Sequence, residues 1–119
     1  MHFHPLINTQ ILEELQLLSQ DQPEFFEDLL LSYIEQIDVF EKEFVHCCQQ
    51  LDVMQQKRLI HKFLGSSNTL GVVALSHYLD LLYQKISNNI PLTPQDLQKL
   101  QNFISQTRQA LQKFLNNKS

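Results

Sequence analysis

Residues Asp21–Leu51 read DQPEFFEDLLLSYIEQIDVFEKEFVHCCQQL. Within this stretch Phe26, Leu30, Tyr33, Ile37, Phe40, Phe44, Cys47 and Leu51 recur at alternating spacings of four and three. A strand would alternate in twos. This spacing puts the whole set on one face of a long helix. Glu27, Asp28, Glu35, Asp38, Glu41 and Glu43 fall on the other faces and make them water-facing. The start carries its own signals: Asp21 can cap, Pro23 sits in the first turn, and Glu24 is placed for a capping box. A stripe this long is stable only when other helices cover it.

The flanking sequence supplies those helices. Upstream, Asn8 caps a short helix over about Thr9–Leu18. Downstream, Asp52 with Gln55 repeats the capping-box pattern and opens a third helix that should run to about Ser67. A fourth begins near Asn68–Thr69, with Leu75, Tyr78, Leu79, Leu82 and Ile86 apolar. It ends near Asn88–Asn89, where Asn tolerates the left-handed conformation. Thr93 caps a fifth, with Pro94 first and Asp96 third, and its stripe is Leu97, Leu100, Ile104, Thr107, Leu111 and Phe114. The final NNKS should fray. Short loops make successive helices antiparallel neighbours. The expected fold is all-α: an up-down antiparallel four-helix bundle with a short additional N-terminal helix capping one end, as one domain over residues 1–119.

Composition agrees. The 119 residues hold two Gly and four Pro, and the net charge is −4 with a pI near 5.6. Nucleic-acid binders are usually basic, so no nucleic-acid partner is expected. No apolar run approaches the roughly 18 residues of a membrane span, and MHFHPLIN has no signal-peptide pattern. Adjacent Cys47 and Cys48 form no disulfide framework. A reducing cytoplasm is the expected location.

One segment of the third helix stands apart: HKFLGSSNTLG, His61–Gly71, which holds both glycines. On a helical wheel at about 100° per residue, Ile60, Phe63 and Ser67 lie roughly 100–160° to one side of His61. That side is the core, so His61 belongs on the solvent side of the boundary. Lys57 and Arg58 lie one turn before it, Leu64 and Gly65 one turn after. A glycine inside a helix costs about 1 kcal/mol relative to alanine. On the His61 side it would leave clearance for a partner's backbone. Ser66, Ser67 and Gly71 would let the third and fourth helices approach. Asn68 could lie above Gly65 and touch a docked partner, or cap the fourth helix. An imidazole with an ordinary pKa of about 6.5 keeps a nucleophilic nitrogen near pH 7 and can hold a phosphoryl group. No second catalytic residue accompanies it, so the pattern suits a carrier that lends a nucleophile to another protein's active site.

His61–Gly71 resembles the signature of histidine-containing phosphotransfer domains, H-x-x-K-G-S-S-x-x-[IL]-G, through His61, Gly65, Ser66, Ser67, Leu70 and Gly71. DQPEFFEDLLLSYIEQ looks like that family's second helix, and the helix order fits about residues 6–115. The resemblance implies a four-helix bundle with the phosphorylated histidine, here His61, on the third helix. It implies phosphoryl exchange with an aspartate of a response-regulator receiver domain, or of a hybrid histidine kinase, in a multistep phosphorelay. The receiver would supply Mg²⁺ and the acidic pocket, and this chain would bind no cofactor, act as a monomer and be no enzyme itself. Gly65 maps to the clearance glycine. One position departs: the family has Lys three residues after the histidine, and this chain has Leu64. Lys62 points about 160° away from that position. Lys57, Arg58 or a residue of the partner would then support the phosphoryl group, while Leu64, Gly65 and Asn68 would face the partner. A non-catalytic module that binds a receiver by occupancy, or an unrelated helical adaptor, are the alternatives.

The remaining chemistry-bearing residues read as structural. His46, Cys47 and Cys48 are metal-ligand types, but adjacent helical positions point apart and Cys47 continues the apolar stripe. His77 reads as a surface or interhelical residue. His2 and His4 lie in the N-terminal segment. Neither Ser66 nor Ser67 has a base beside it in sequence, and no phosphate-binding loop or zinc-hydrolase motif occurs.

Overall fold

The computed structural model describes residues 6–118. It contains helices α1 (Thr9–Leu18), α2 (Pro23–Gln49), α3 (Val53–Thr69), α4 (Val73–Ser87) and α5 (Pro94–Lys118), with no strand among the described residues. Asn8 starts α1 by accepting from the Gln10 and Ile11 amides at 3.0 and 3.3 Å. The Asp52 carboxylate caps α3 at the Gln55 amide, 3.2 Å. At α5 the box is reciprocal. The Asp96 amide donates to Thr93 Oγ1 at 3.1 Å and the Thr93 amide to Asp96 Oδ2 at 2.9 Å. Lys85 of α4 reaches the same carboxylate oxygen at 2.6 Å. Burial alone would raise the Asp96 pKa, but Lys85 and Thr93 outweigh it and hold the carboxyl below its ordinary value. This tie between α4 and α5 is therefore present above the ordinary carboxylate range and is lost as pH falls through the lowered pKa.

The cap expected at α2 is different. Gln22 is the N-cap, with no side-chain bond, and Asp21 lies one residue too far out. Pro23 at the first helical position has no N–H to satisfy, which reduces the need for a cap. The boundary between α3 and α4 also moves. The α3 helix continues to Thr69 and α4 begins at Val73, so Asn68 sits in the last turn of α3 and does not cap α4. The α5 helix runs to Lys118, and Ser119, His2 and His4 lie outside the described residues.

Three helices end in the same turn. The amide after the cap bonds back to the second-last carbonyl, and the next amide bonds to the third-last. The pairs are Leu51 to Cys48 and Asp52 to Cys47, Gly71 to Asn68 and Val72 to Ser67, Asn89 to Ile86 and Ile90 to Lys85, all at 2.8–3.2 Å. Each turn puts one residue in the left-handed region: Leu51 at φ 54°, Gly71 at 70°, Asn89 at 60°. Asn89 is the residue the sequence marked. Leu51 is not. Its spacing continues the apolar stripe of α2, yet it has left the helix and is 82% exposed. A left-handed leucine costs about 1 kcal/mol relative to glycine. Leu51→Gly should therefore raise the unfolding free energy by about 1 kcal/mol and the melting temperature by about 4 °C. A melt at or below the wild-type temperature would show that the leucine side chain makes a compensating contact.

The four long helices close in a ring, α2–α3–α4–α5, with α5 returning to α2. Pairings run in opposite directions along the α2–α3 seam, and along α4–α5 and α2–α5 when Lys85–Asp96 and Asp38–Arg108 are included. Tyr33 meets Ser67 and Phe40 meets Phe63 between α2 and α3. Tyr78 meets Phe103 between α4 and α5, and Phe26 meets Phe114 between α2 and α5. The rings of Tyr33, Phe63, Phe40 and Phe44 stack at centroid distances of 5.3, 4.5 and 5.4 Å and fill the α2–α3 side of the core. Across the α3–α4 turn lies α1. The Asn8 amide donates to the Gly71 carbonyl at 2.7 Å, and Leu12 is fully buried. Outside the ring, Arg108 of α5 holds Asp38 of α2, with Glu41 at 3.7 Å.

Candidate functional site

The face of α3 opposite its core residues carries His61. Ile60, Phe63 and Ser67 are buried, and His61 is exposed. Its imidazole leans toward the α4 seam, where the Tyr83 ring lies at a centroid distance of 6.1 Å and a tilt of 38°. Lys57, one turn earlier, is half-buried and holds its ammonium 5.4 Å from the centroid of the same ring. Arg58 is exposed. Lys62 turns the other way and lines the α2–α3 groove with Glu35, Glu43 and Ser66.

The two glycines do different jobs. Gly65 is exposed, and a Cβ built there meets nothing within 4 Å. Helix packing therefore does not require it. Its effect is to leave the surface open one turn above His61. Gly65→Ala should raise stability by about 1 kcal/mol, because an exposed helical glycine is replaced by the best helix former. The same change should slow any reaction that brings a partner's backbone to His61. A higher melting temperature with an unchanged reaction rate would show that the open turn has no role. Gly71 is needed for the fold instead. It is left-handed, and a Cβ there would lie 3.1 Å from Ile11 Cβ and 3.3 Å from Asn8 Cβ. The expectation that Gly71 lets α3 approach α4 is corrected: it seats α1.

Ser67 is also corrected. It is fully buried, but its partner is α2, where Tyr33 Oη and Ser67 Oγ lie 2.6 Å apart. Burial pushes the Tyr33 hydroxyl far above its ordinary pKa and the Ser67 bond only partly offsets this, so the pair is a neutral hydrogen bond. Leu64 is half-buried, packs on the core, and lines a shallow groove with Asn68, Ser76, His77 and Asp80. The groove abuts the open turn at Gly65. No sequence motif marks Tyr83 or Asp80. On α4 they are three residues apart, so an antiparallel overlay of α4 on α3 would have placed both beside His61 and Leu64.

The His46–Cys48 stretch is divided. His46 is exposed, and Cys47 is buried in the stripe. Burial pushes the Cys48 thiol up to about 11 and raises Cys47 too, so neither thiol is primed as a thiolate. Among the described residues no group of three or more His, Cys, Asp or Glu side chains could hold a metal ion.

No family model and no curated protein matches the chain. Among solved structures, the crystal structure of histidine-containing phosphotransfer protein B from Pseudomonas aeruginosa is similar over 97% of this chain and 98% of that one. The TM-score is 0.84 at 17% sequence identity. A shared architecture at that identity rests on the placement of helices, not on matched side chains. Five helices in this order, closed into a four-membered ring with α1 across one end, give this chain the fold of the histidine-containing phosphotransfer proteins.

Proposed function

We propose that this chain is a phosphoryl carrier in a multistep two-component phosphorelay and that His61 holds the phosphoryl group. The observation that carries this reading is His61 itself: exposed on the third helix of this fold, with an open turn at Gly65 above it. In the forward step a lone pair of the imidazole attacks the phosphorus of a receiver's aspartyl phosphate. The N–P bond forms as the P–O bond breaks, and the carboxylate leaves as the anion. The proton on the other ring nitrogen stays until solvent takes it. The reverse step returns the group to a second receiver. Clearance at Gly65 lets the receiver's backbone approach in line with the imidazole.

In this reading Mg²⁺ belongs to the receiver and not to this side of α3. The imidazole, the ammonium and the phenol ring do not match a hard cation that takes oxygen ligands, and Asp80 is a lone carboxylate already accepting from Gln84. The metal and the acidic pocket are assigned to the receiver, and this chain supplies the nucleophile. Among the described residues no helix is long and apolar enough to cross a membrane. The carrier role itself would put the chain in the cytoplasm with its receivers, as a monomer that meets them transiently.

The test is a chase. Receiver domains of the host, each charged with labelled phosphate, are mixed with the chain. Label should move from at least one receiver to this protein as an acid-labile, alkali-stable adduct. A second reading is favoured by Leu64, which stands where the family has lysine: the chain binds a receiver without accepting phosphate. Binding without label would establish that reading, and neither binding nor label across all receivers would favour a helical adaptor. Restoring the cation with Leu64→Lys should raise the transfer rate about three- to tenfold, the scale of one added charge near a phosphoryl group at a water-exposed surface. An unchanged rate would remove the electrostatic role of that position.

A further inference from the structure

The missing cation after His61 has a counterpart before it. Lys57 and His61 occupy one face of α3 a turn apart, and both meet the same ring, Tyr83 of α4, at 5.4 and 6.1 Å. Lys57 is half-buried, as a lysine is when its stem lies along apolar surface and its head stays in water. Here its stem lies in the α3–α4 seam and its ammonium over the π face, an arrangement that restrains a side chain otherwise spread over many rotamers. The ring is itself held, because Tyr83 is half-buried and packs against the core. The other cations lack this restraint toward His61. Arg58 is exposed and about 100° further round the helix from Lys57. Lys62 faces Glu35 and Glu43 in the α2–α3 groove. Asp80, the carboxylate on this side of α4, accepts a hydrogen bond from Gln84 at 2.9 Å.

We infer that Tyr83 is a positioning residue: it holds the Lys57 ammonium on the His61 side of α3, where that charge replaces the cation Leu64 does not provide and favours the phosphorylated state of His61. The inference rests on the reading of His61 as the phosphoryl carrier. Phosphorylation adds nearly two negative charges. A restrained cation one turn away shifts the phosphoryl equilibrium between His61 and a receiver aspartate toward His61, by about three- to tenfold at surface dielectric.

The experiment uses the full chain, charged from phosphoramidate and then mixed with a receiver domain that exchanges with the wild type. The partition of phosphate between the two proteins is read at equilibrium for Lys57→Gln, Lys57→Arg, Tyr83→Leu and Tyr83→Phe. Lys57→Gln and Tyr83→Leu should each move the partition about three- to tenfold toward the receiver, and the double variant should move it no further. Lys57→Arg keeps a stacked cation and Tyr83→Phe keeps the ring face, so both should stay near wild type. Adding Leu64→Lys to Tyr83→Leu should restore the partition. In parallel, the Lys57 ε-methylene protons should show ring-current shifts in the wild type and Tyr83→Phe that vanish in Tyr83→Leu. A partition unmoved in Tyr83→Leu despite the lost ring-current shift would overturn the inference, as would an effect of Lys57→Gln that Tyr83→Leu does not share. If the wild type took up no phosphate at all, the carrier reading would fall, and that outcome is distinct from either of these.

Discussion

His61→Gln should take up no phosphoryl group from phosphoramidate or from any charged receiver, a loss of at least about a thousandfold, while melting within about 2 °C of the wild type. The two halves of this result have separate causes. A glutamine amide nitrogen has no nucleophilic lone pair, so the N–P bond cannot form. The fold is unaffected because His61 is exposed, and its Tyr83 contact is tilted and peripheral to the aromatic core. Surface substitutions of this kind usually change stability by no more than about 0.5 kcal/mol. Uptake by the variant at the wild-type rate would move the chemistry to another side chain, and the exposed histidines His46 and His77 are the ones to examine next.

Gly71→Val should lower the unfolding free energy by about 3 kcal/mol and the melting temperature by about 10 °C. Two penalties coincide. The residue sits at φ 70°, where a β-branched side chain is strained. Its Cβ would also press on Ile11 at 3.1 and 3.2 Å and on Asn8 at 3.3 Å. Neither neighbour can yield cheaply. The Asn8 amide is bonded to the Gly71 carbonyl, and Ile11 is in the same α1 whose Leu12 is fully buried. Relief of the clash would lift α1 off the α3–α4 turn. Denaturant titration of the variant reads the loss directly, and a loss under 1 kcal/mol would show that α1 is only loosely seated. Gly65→Ala changes stability in the opposite direction, so the two glycines, six residues apart in one motif, separate a requirement of the fold from one of the surface.

The helical bundle was legible because its signals are local. The stripe of α2 from Phe26 to Cys47 is buried as its spacing requires, and the caps at Asn8, Asp52 and Thr93 form the bonds their residue types offer. Leu51 misled because spacing alone continues a stripe past the point where the backbone turns; the left-handed residue at φ 54° appears only in three dimensions. The end of α3 misled for a related reason. Asn68 and Thr69 have cap chemistry, but Gly71 three residues later makes the stronger stop. For the surface around His61, one helix's wheel gave the solvent side correctly. It could not give the neighbour. That Ser67 meets α2 and not α4, and that Tyr83 lies beside His61, depends on the relative register and rotation of the helices. Neither is written in the spacing of a single helix.

The most direct measurement is to find which atom carries the phosphate. After exchange with a charged receiver, the full chain would be cleaved at alkaline pH, where phosphohistidine survives, and the labelled peptide sequenced by mass spectrometry. One phosphoryl group on the peptide containing His61, absent from His61→Gln, is the outcome the carrier reading requires. A phosphoryl group on His46 or His77, or a receiver that binds and never gives up its phosphate, would contradict it.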